Sequence, residues 1–234
     1  VLNADSGEEI IFGDDYTIDD IVWMGVQPAI ADRAALCGIN KSHPFAELKT
    51  YLDKAKASGK PVHFLPPYRP ENKIKLFKLT GIHPDHLAEN ASVEFIKAVV
   101  NQRNIKTDEE IEEIEKAVNT TVEMHLTAMR NARPGMKESE IAGMMQEVAV
   151  SAGGNISFPI IATINGQTLH NHYHGNTLKS GDMLLIDAGA ETPMGYAGDM
   201  SSTLPVDKTF TSRQKEIYEI TLDAHNSAID ALRP

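Results

Sequence analysis

The stretch that decides the fold is "LLIDAGAETPMGYAGDMSSTLPV", residues 184–206. Two apolar segments flank a turn containing proline and glycine, which is the pattern of a β-hairpin. Each segment nevertheless carries an aspartate where a packed sheet favours a neutral side chain. If the turn is centred near Pro193, residues whose numbers sum to 386 stand opposite each other, and Asp187 and Asp199 satisfy that condition.

Like charges directly across a strand pair destabilise it, and in a buried setting one carboxyl would be driven to hold its proton. A shared proton, basic partners or a divalent cation would each relieve the repulsion. No Lys or Arg lies between Gly181 and Asp207, which favours the proton or the cation. A plainer reading, with one Asp capping a turn and the other facing water, stays open on spacing alone.

Upstream, "QTLHNHYH" reads as a further strand, with His170, His172 and His174 on alternate positions and therefore on one face. Such a row suits metal ligation, proton transfer or a solvated polar face. Beside two carboxylates, a divalent ion held by Asp oxygens and an imidazole poised to hydrogen-bond a carbonyl make a hydrolytic arrangement.

Before these strands come two amphipathic helices. "KTDEEIEEIEKAVNTTVEMHLTAMRNARPG" opens with a capping box at Thr107–Glu110 and is expected to bury Ile111, Ile114, Val118, Val122, Leu126 and Met129 before stopping at Pro134-Gly135. Its acidic start complements the helix dipole, and His125 reads as structural. "KESEIAGMMQEVAVSAGG" follows, with Ile141, Met144, Met145, Val148 and Ala152 as its core face. Helices followed by "ISFPIIATI", the histidine strand and the hairpin predict an α+β domain with helices backing an antiparallel sheet.

The first hundred residues differ. "PFAELKTYLDKAKASGK" predicts a helix stopping at Gly59, with Phe45, Leu48, Tyr51, Leu52 and Ala55 on one side, and "PVHFLPPY" predicts a short strand after it. Strand, helix and strand suggest a small α/β domain over residues 1–102, ahead of the α+β domain over 103–234, with the junction near 101–106.

Composition bounds the rest. The chain has 234 residues, 41% of them hydrophobic, enough for two cores. Its net charge of −11 opposes nonspecific binding to nucleic acid or to an anionic membrane. No apolar run reaches the roughly 18 residues that span a bilayer. Cys37 is the only cysteine, which excludes an intrachain disulfide and makes a reducing, cytoplasmic setting the default; it reads as a small buried hydrophobe. There is no P-loop, dinucleotide glycine fingerprint, HExxH or GxSxG.

The ordered motifs "NGQTLH", "GDMLLIDAGAE", "GYAGD" and "STLPV" resemble the proline-specific pita-bread metallopeptidases, the Xaa-Pro aminopeptidases and dipeptidases. The similarity runs back through "IKTDEEIEEIEKA" and "RPGMKESEIAG" and forward through "FTSRQKEIYEITLDAH", so it covers roughly residues 101–234. The resemblance implies the pita-bread fold behind a creatinase-like α/β domain. It implies Asp187 and Asp199 as ligands of a centre of two divalent ions, most often Mn2+, with Co2+, Zn2+ or Fe2+ as the others.

It also implies that His170, which precedes Asp187 by 17 residues, assists substrate binding and proton transfer. His172 and His174 match nothing in the motif. The implied partner is a peptide with proline in second position, with a homodimer as the candidate assembly. Two departures stand out: the Asp-to-Asp spacing is one residue longer than usual, and Ser201-Ser202-Thr203 replaces the usual Thr-Arg-Thr.

A further histidine and two glutamates that the family uses as ligands have no matching motif here. The expectation is therefore a chain that starts within its first domain, stops before the second half of its catalytic domain, and alone holds metal weakly without catalysing. Two other readings of the resemblance are a noncatalytic pita-bread binding module and a creatinase-like amidinohydrolase that needs no metal; retention of both aspartates argues against the latter.

Overall fold

The computed structural model describes residues 1–232. Contacts divide the chain into two units, one over Val1–Ile105 and one from Lys106 onward.

In the first unit, β1 (Leu2–Asn3) pairs antiparallel with β2 (Glu8–Glu9). A parallel pair joins β3 (Ile11–Phe12) to β4 (Ser42–His43) after a crossover through α1 (Ile18–Met24) and α2 (Ile30–Leu36), the connection that parallel strands require. α3 (Glu47–Ala57), α4 (Pro70–Thr80) and α5 (Val93–Asn104) complete the unit. The predicted face of α3 is half-buried as expected, and the chain leaves it through Gly59 at φ 79°.

Two expectations fail in this unit. Residues 61–68 form no strand: Pro61, Pro66 and Pro67 remove three ladder donors, and Phe64 is held instead by its carbonyl accepting from Ser92 N. Cys37 is exposed rather than buried, because it caps the C-terminus of α2 beside the Gly38 turn.

In the second unit, α6 (Asp108–Asn131) starts on the expected capping box, with Thr107 N donating to Glu110 Oε2 at 2.8 Å. α7 (Glu138–Ser151) leads through Gly153, at φ 88°, to β5 (Asn155–Ile156). A three-stranded antiparallel sheet follows in the order β6 (Ile161–Thr163), β7 (Met183–Ala188), β9 (Met200–Pro205), while β8 (Ala190–Glu191) turns aside to pair with β5. α8 (Ser212–Ala231) closes the unit behind a Thr211–Gln214 capping box.

The core lies between the two helices and one face of the sheet. Met124 and Ala128 of α6 and Ile141 and Met145 of α7 pack against Ala162, Leu184, Ile186, Ala188 and Leu204. Strand alternation then puts Met183, Leu185 and Asp187 on the opposite face.

The buried stripe of α6 is Ala117, Thr121, Met124, His125 and Ala128, about one position away from the expected one. Ile114, Val118, Val122 and Leu126 flank it half-buried, and Ile111 and Met129 are exposed. Small side chains face the hairpin because its backbone comes too close for larger ones: a Cβ on Gly198 would lie 2.4 Å from Thr121 Oγ1 and 2.8 Å from the Ala117 carbonyl. On α7, Ile141 and Met145 are buried and Met144 and Val148 pack at the edge of the core, but Ala152 is exposed.

Candidate metal and active site

The hairpin forms as expected with a different register. β7 and β9 pair so that Asp187 faces Ser201 and Ala188 faces Met200. The turn is centred on Met194, not Pro193: Thr192 N donates to Tyr196 O at 2.8 Å, Gly195 N to Thr192 O at 2.9 Å, and Gly195 takes φ 81°. A three-residue loop ending on a left-handed glycine is a favoured hairpin closure, and moving the centre by one residue moves the register by two.

Asp187 and Asp199 therefore stand diagonally rather than face to face. A two-residue shift keeps parity, so both belong to the sheet face turned away from the helices. The diagonal offset, roughly 7–8 Å between Cα atoms in a regular ladder, relieves the like-charge contact that a direct pairing would impose. Ser201 fills the opposing position and its Oγ donates to Asp187 Oδ1 at 3.1 Å.

Around the two aspartates the backbone is held tightly. Gly198 N donates to Ala190 O at 2.8 Å, and Ser157 Oγ donates to Gly198 O at 2.9 Å. Thr121, fully buried on α6, accepts from Ala190 N at 2.9 Å and donates to Ala117 O at 2.8 Å. Gly189 admits no side chain, since a Cβ there would lie 1.8 Å from Gly198 O. His125 bridges both strands: its Nδ1 lies 2.7 Å from Ser202 Oγ and its Nε2 3.3 Å from Ala188 O. The carbonyl can only accept, which assigns the proton to Nε2 and leaves Nδ1 to accept from the serine hydroxyl. His125 is buried and ties α6 to Ala188, which follows Asp187, and to Ser202, which follows the Ser201 that faces Asp187.

The hairpin tip is tied to the start of α6. Tyr196 Oη donates to Glu110 Oε1 at 2.8 Å, and Glu113 bonds Lys116 and Thr192. Those two contacts, Lys116 first, hold the Glu113 carboxyl below its ordinary value.

The histidine row is not a strand. Residues 164–176 form a loop, and His170, His172 and His174 share no face. The physical reason is that the loop's backbone groups pair with the start of α7 instead of a neighbouring strand: Glu138 N donates to Asn176 O and Ser139 N to His174 O. His174 is half-buried with Nε2 2.9 Å from Ile160 O, while His170 and His172 are exposed. The loop still lies on the aspartate face. A Cβ on Gly166 would touch the Leu185 side chain at 3.1 Å, and Asn171 Nδ2 donates at 3.1 Å to Thr163 Oγ1, a residue paired with Leu185.

As cation ligands the residues fit in part. Two carboxylates share a face in a segment without Lys or Arg, and among the described residues no hydrogen bond or ion pair engages the exposed Asp199 carboxylate. Hard oxygen donors of this kind suit divalent ions. Among the described residues, however, no group of three His, Cys, Asp or Glu side chains is placed to hold a metal. Asp187 and Asp199 thus offer two oxygen donors on one face, with no third such side chain grouped with them among the described residues.

Comparison with known proteins now bears on this geometry. The family described as Metallopeptidase family M24 matches residues 112–234, more than half of the sequence. The chain belongs to metallopeptidase family M24.

Within family M24 it is similar to the proline-specific members. It is 35% identical over 159 residues to the Xaa-Pro aminopeptidase of Escherichia coli strain K12, covering 66% of this chain and 35% of that protein. It is 29% identical over 223 residues to the Xaa-Pro aminopeptidase of Haemophilus influenzae, covering 91% and 48%. The zinc-substituted aminopeptidase P of Escherichia coli in complex with product superposes with a TM-score of 0.82 at 25% identity, over 99% of this chain and 54% of that one. The pita-bread fold is thus shared over the matched part, and the chain spans about a third to a half of the length of the relatives it matches. No described helix is long and apolar enough to cross a membrane.

The residues that composition and periodicity miss are Thr121, Gly189 and Gly198 around the aspartates and Glu138 at the feet of the His170 loop. The glycines had a signal, since one follows Asp187 by two positions and the other precedes Asp199 directly. A buried acid such as Glu138 had none, because at a helix start it reads as a solvated charge.

Proposed function

We propose that, in a protein of the relatives' length, this chain supplies part of the centre of a peptidase that cleaves the bond between an N-terminal residue and a following proline. The observation that supports the reading is the shared face of Asp187 and Asp199, with the His170 loop leaving the same face, in a chain of family M24. Asp187 and Asp199 would hold divalent ions, manganese first among them, and such ions supply an acidified water and a Lewis acid for the scissile carbonyl. The chain's own parts have separate duties. The strands and the glycine contacts fix the two carboxylates, Ser201 orients one of them, and His170 hydrogen-bonds the substrate or moves its proton.

The remaining ligands are proposed to lie in the part of the relatives' length that this chain does not span, since no third donor joins the pair among the described residues. The chain alone is then a weak metal binder without peptidase activity. That same lack favours, as a second reading, a noncatalytic member that binds peptides. The Val1–Ile105 unit is read as the α/β domain that precedes the catalytic domain in the proline-specific branch.

The test is metal content and Xaa-Pro cleavage measured on the chain alone and on a protein extended to the relatives' length. The extended protein should cleave, and Asp187→Ala or Asp199→Ala should abolish bound metal and cleavage together. Full hydrolysis by the metal-free double variant would overturn the peptidase mechanism, and cleavage by the chain alone would overturn the division of ligands.

A further inference from the structure

Glu138, the first residue of α7, is fully buried although it is an acid. Burying a carboxylate is costly unless its oxygens are fully hydrogen-bonded. Here they are. Oε1 accepts from Ile164 N at 2.8 Å and from Asn176 Nδ2 at 3.1 Å; Oε2 accepts from Asn176 N at 3.2 Å and Nδ2 at 3.0 Å. Every contact is an N–H aimed at an oxygen, the pattern that an acceptor-only carboxylate satisfies.

The donors are the two feet of one loop. Ile164 is its first residue and Asn176 its last, and His170 lies midway between them. The helix that carries Glu138 adds its own end groups, with Glu138 N donating to Asn176 O at 3.0 Å and Ser139 N to His174 O at 3.1 Å, so unsatisfied first-turn amides of α7 are spent on the same foot. A third hold comes from Thr163, also fully buried, which takes Asn165 N at 3.0 Å and Asn171 Nδ2 at 3.1 Å on its Oγ1. Nothing else about Glu138 explains a buried acid. It makes no ion pair among the described residues, and Glu140, not Glu138, caps Lys137 N.

We propose that Glu138 is a positioning residue for the His170 loop: one buried carboxylate closes the loop at both ends and thereby sets where His170 stands over the Asp187 face. The role given to His170 rests on the peptidase reading above; the closure of the loop does not. Because the staple sits at the feet, its loss should release the loop without disturbing the β7–β9 ladder.

The experiment uses two variants of the 234-residue chain, read by amide hydrogen exchange and by the imidazole NMR signals of His170. Glu138→Gln replaces one acceptor oxygen with an amide NH2 that faces N–H donors. Asn176→Ala removes only the side-chain fork and is the variant that keeps its fold if the first does not. Loss of hydrogen bonds to a charged group should speed exchange at Ile164 and within the loop by about tenfold to hundredfold, while Leu184 and Ile186 keep their native rates. The His170 signals should move toward those of an unstructured peptide.

Unchanged loop exchange in a folded variant overturns the proposal. So does exchange that rises equally across α6, α7 and the sheet, which marks a merely structural buried acid. The peptidase reading is separated by His170→Ala in the extended protein. If that variant cleaves Xaa-Pro bonds at the full rate while the exchange result holds, the reading of His170 fails and the loop closure stands.

Discussion

Asp187 faces Ser201 across the hairpin, and the serine hydroxyl donates to its carboxylate at 3.1 Å. Asp199 lies on the same face one diagonal step away, exposed, with no hydrogen bond or ion pair to its carboxylate among the described residues. The two acids thus stand a diagonal step apart rather than face to face, and the Asp199 carboxylate makes no contact that holds the strands together among the described residues. Asp199→Asn should change unfolding free energy by less than about 0.5 kcal/mol, the range of ordinary surface substitutions. It should weaken Mn2+ binding by the chain at least about tenfold, an effect that even an outer partner of a ligand commands. Urea unfolding and Mn2+ titration by electron paramagnetic resonance separate the two quantities, and an unchanged Mn2+ affinity rules out Asp199 as a ligand.

Gly198 precedes Asp199 and has no room for a methyl group. A Cβ would lie 2.4 Å from Thr121 Oγ1 and 2.8 Å and 3.0 Å from the Ala117 carbonyl oxygen and carbon, and backbone of α6 cannot step aside as a flexible side chain would. Gly198→Ala should cost about 1–3 kcal/mol, the usual penalty for overpacking. It should also push the Asp199 backbone off the helix and so weaken metal binding, whereas Gly143→Ala, with open space around it on α7, should not destabilise the fold. Equal thermal midpoints for the Gly198 variant and the parent chain would contradict this packing.

What was legible in the sequence follows from range. α6 and α7 were readable because the apolar period and the capping box are local, and the hairpin because its two strands and its turn lie within 23 residues. The register was not, since it depends on which residue of "ETPMG" adopts the left-handed conformation, and Gly195 settles that. The histidine strand failed for a tertiary reason: its backbone groups are taken by the N-terminus of α7 and by Glu138. The face of α6 was misplaced by one position because the rule that large apolar residues point inward yields to the close approach of the glycines, which admits Ala117 and Thr121. In the candidate site, a motif singles out Asp187, Asp199 and His170, while the residues that hold them in place carry no such motif.

His125 joins α6 to both strands of the hairpin, through the Ala188 carbonyl and the Ser202 hydroxyl. His125→Ala removes a buried side chain together with both of its contacts and should destabilise the fold by about 1–3 kcal/mol. Ser202→Ala removes the hydroxyl that donates to Nδ1 but leaves the Nε2 contact with the Ala188 carbonyl, and should cost less. A double-mutant cycle read by urea unfolding tests the pair; strictly additive effects would show that the two side chains do not act together.

The tip of the hairpin should loosen in acid. Glu113 bonds Lys116 and Thr192, and those contacts hold its carboxyl below the ordinary value, while the same contact raises the Lys116 ammonium. The sign follows from linkage. A carboxyl with a depressed folded value contributes its stabilisation above the unfolded value, near 4.3 for Glu, and loses it as pH falls through the folded value. Lys116 stays charged throughout that range, so protonation of Glu113 is the event that breaks the contact. The Thr192 resonances should therefore shift toward those of a free turn below about pH 4, with the sheet residues Leu184 and Ile186 unmoved. In Glu113→Gln that acid shift should vanish. If Thr192 responds identically in the variant, Glu113 is not the tether.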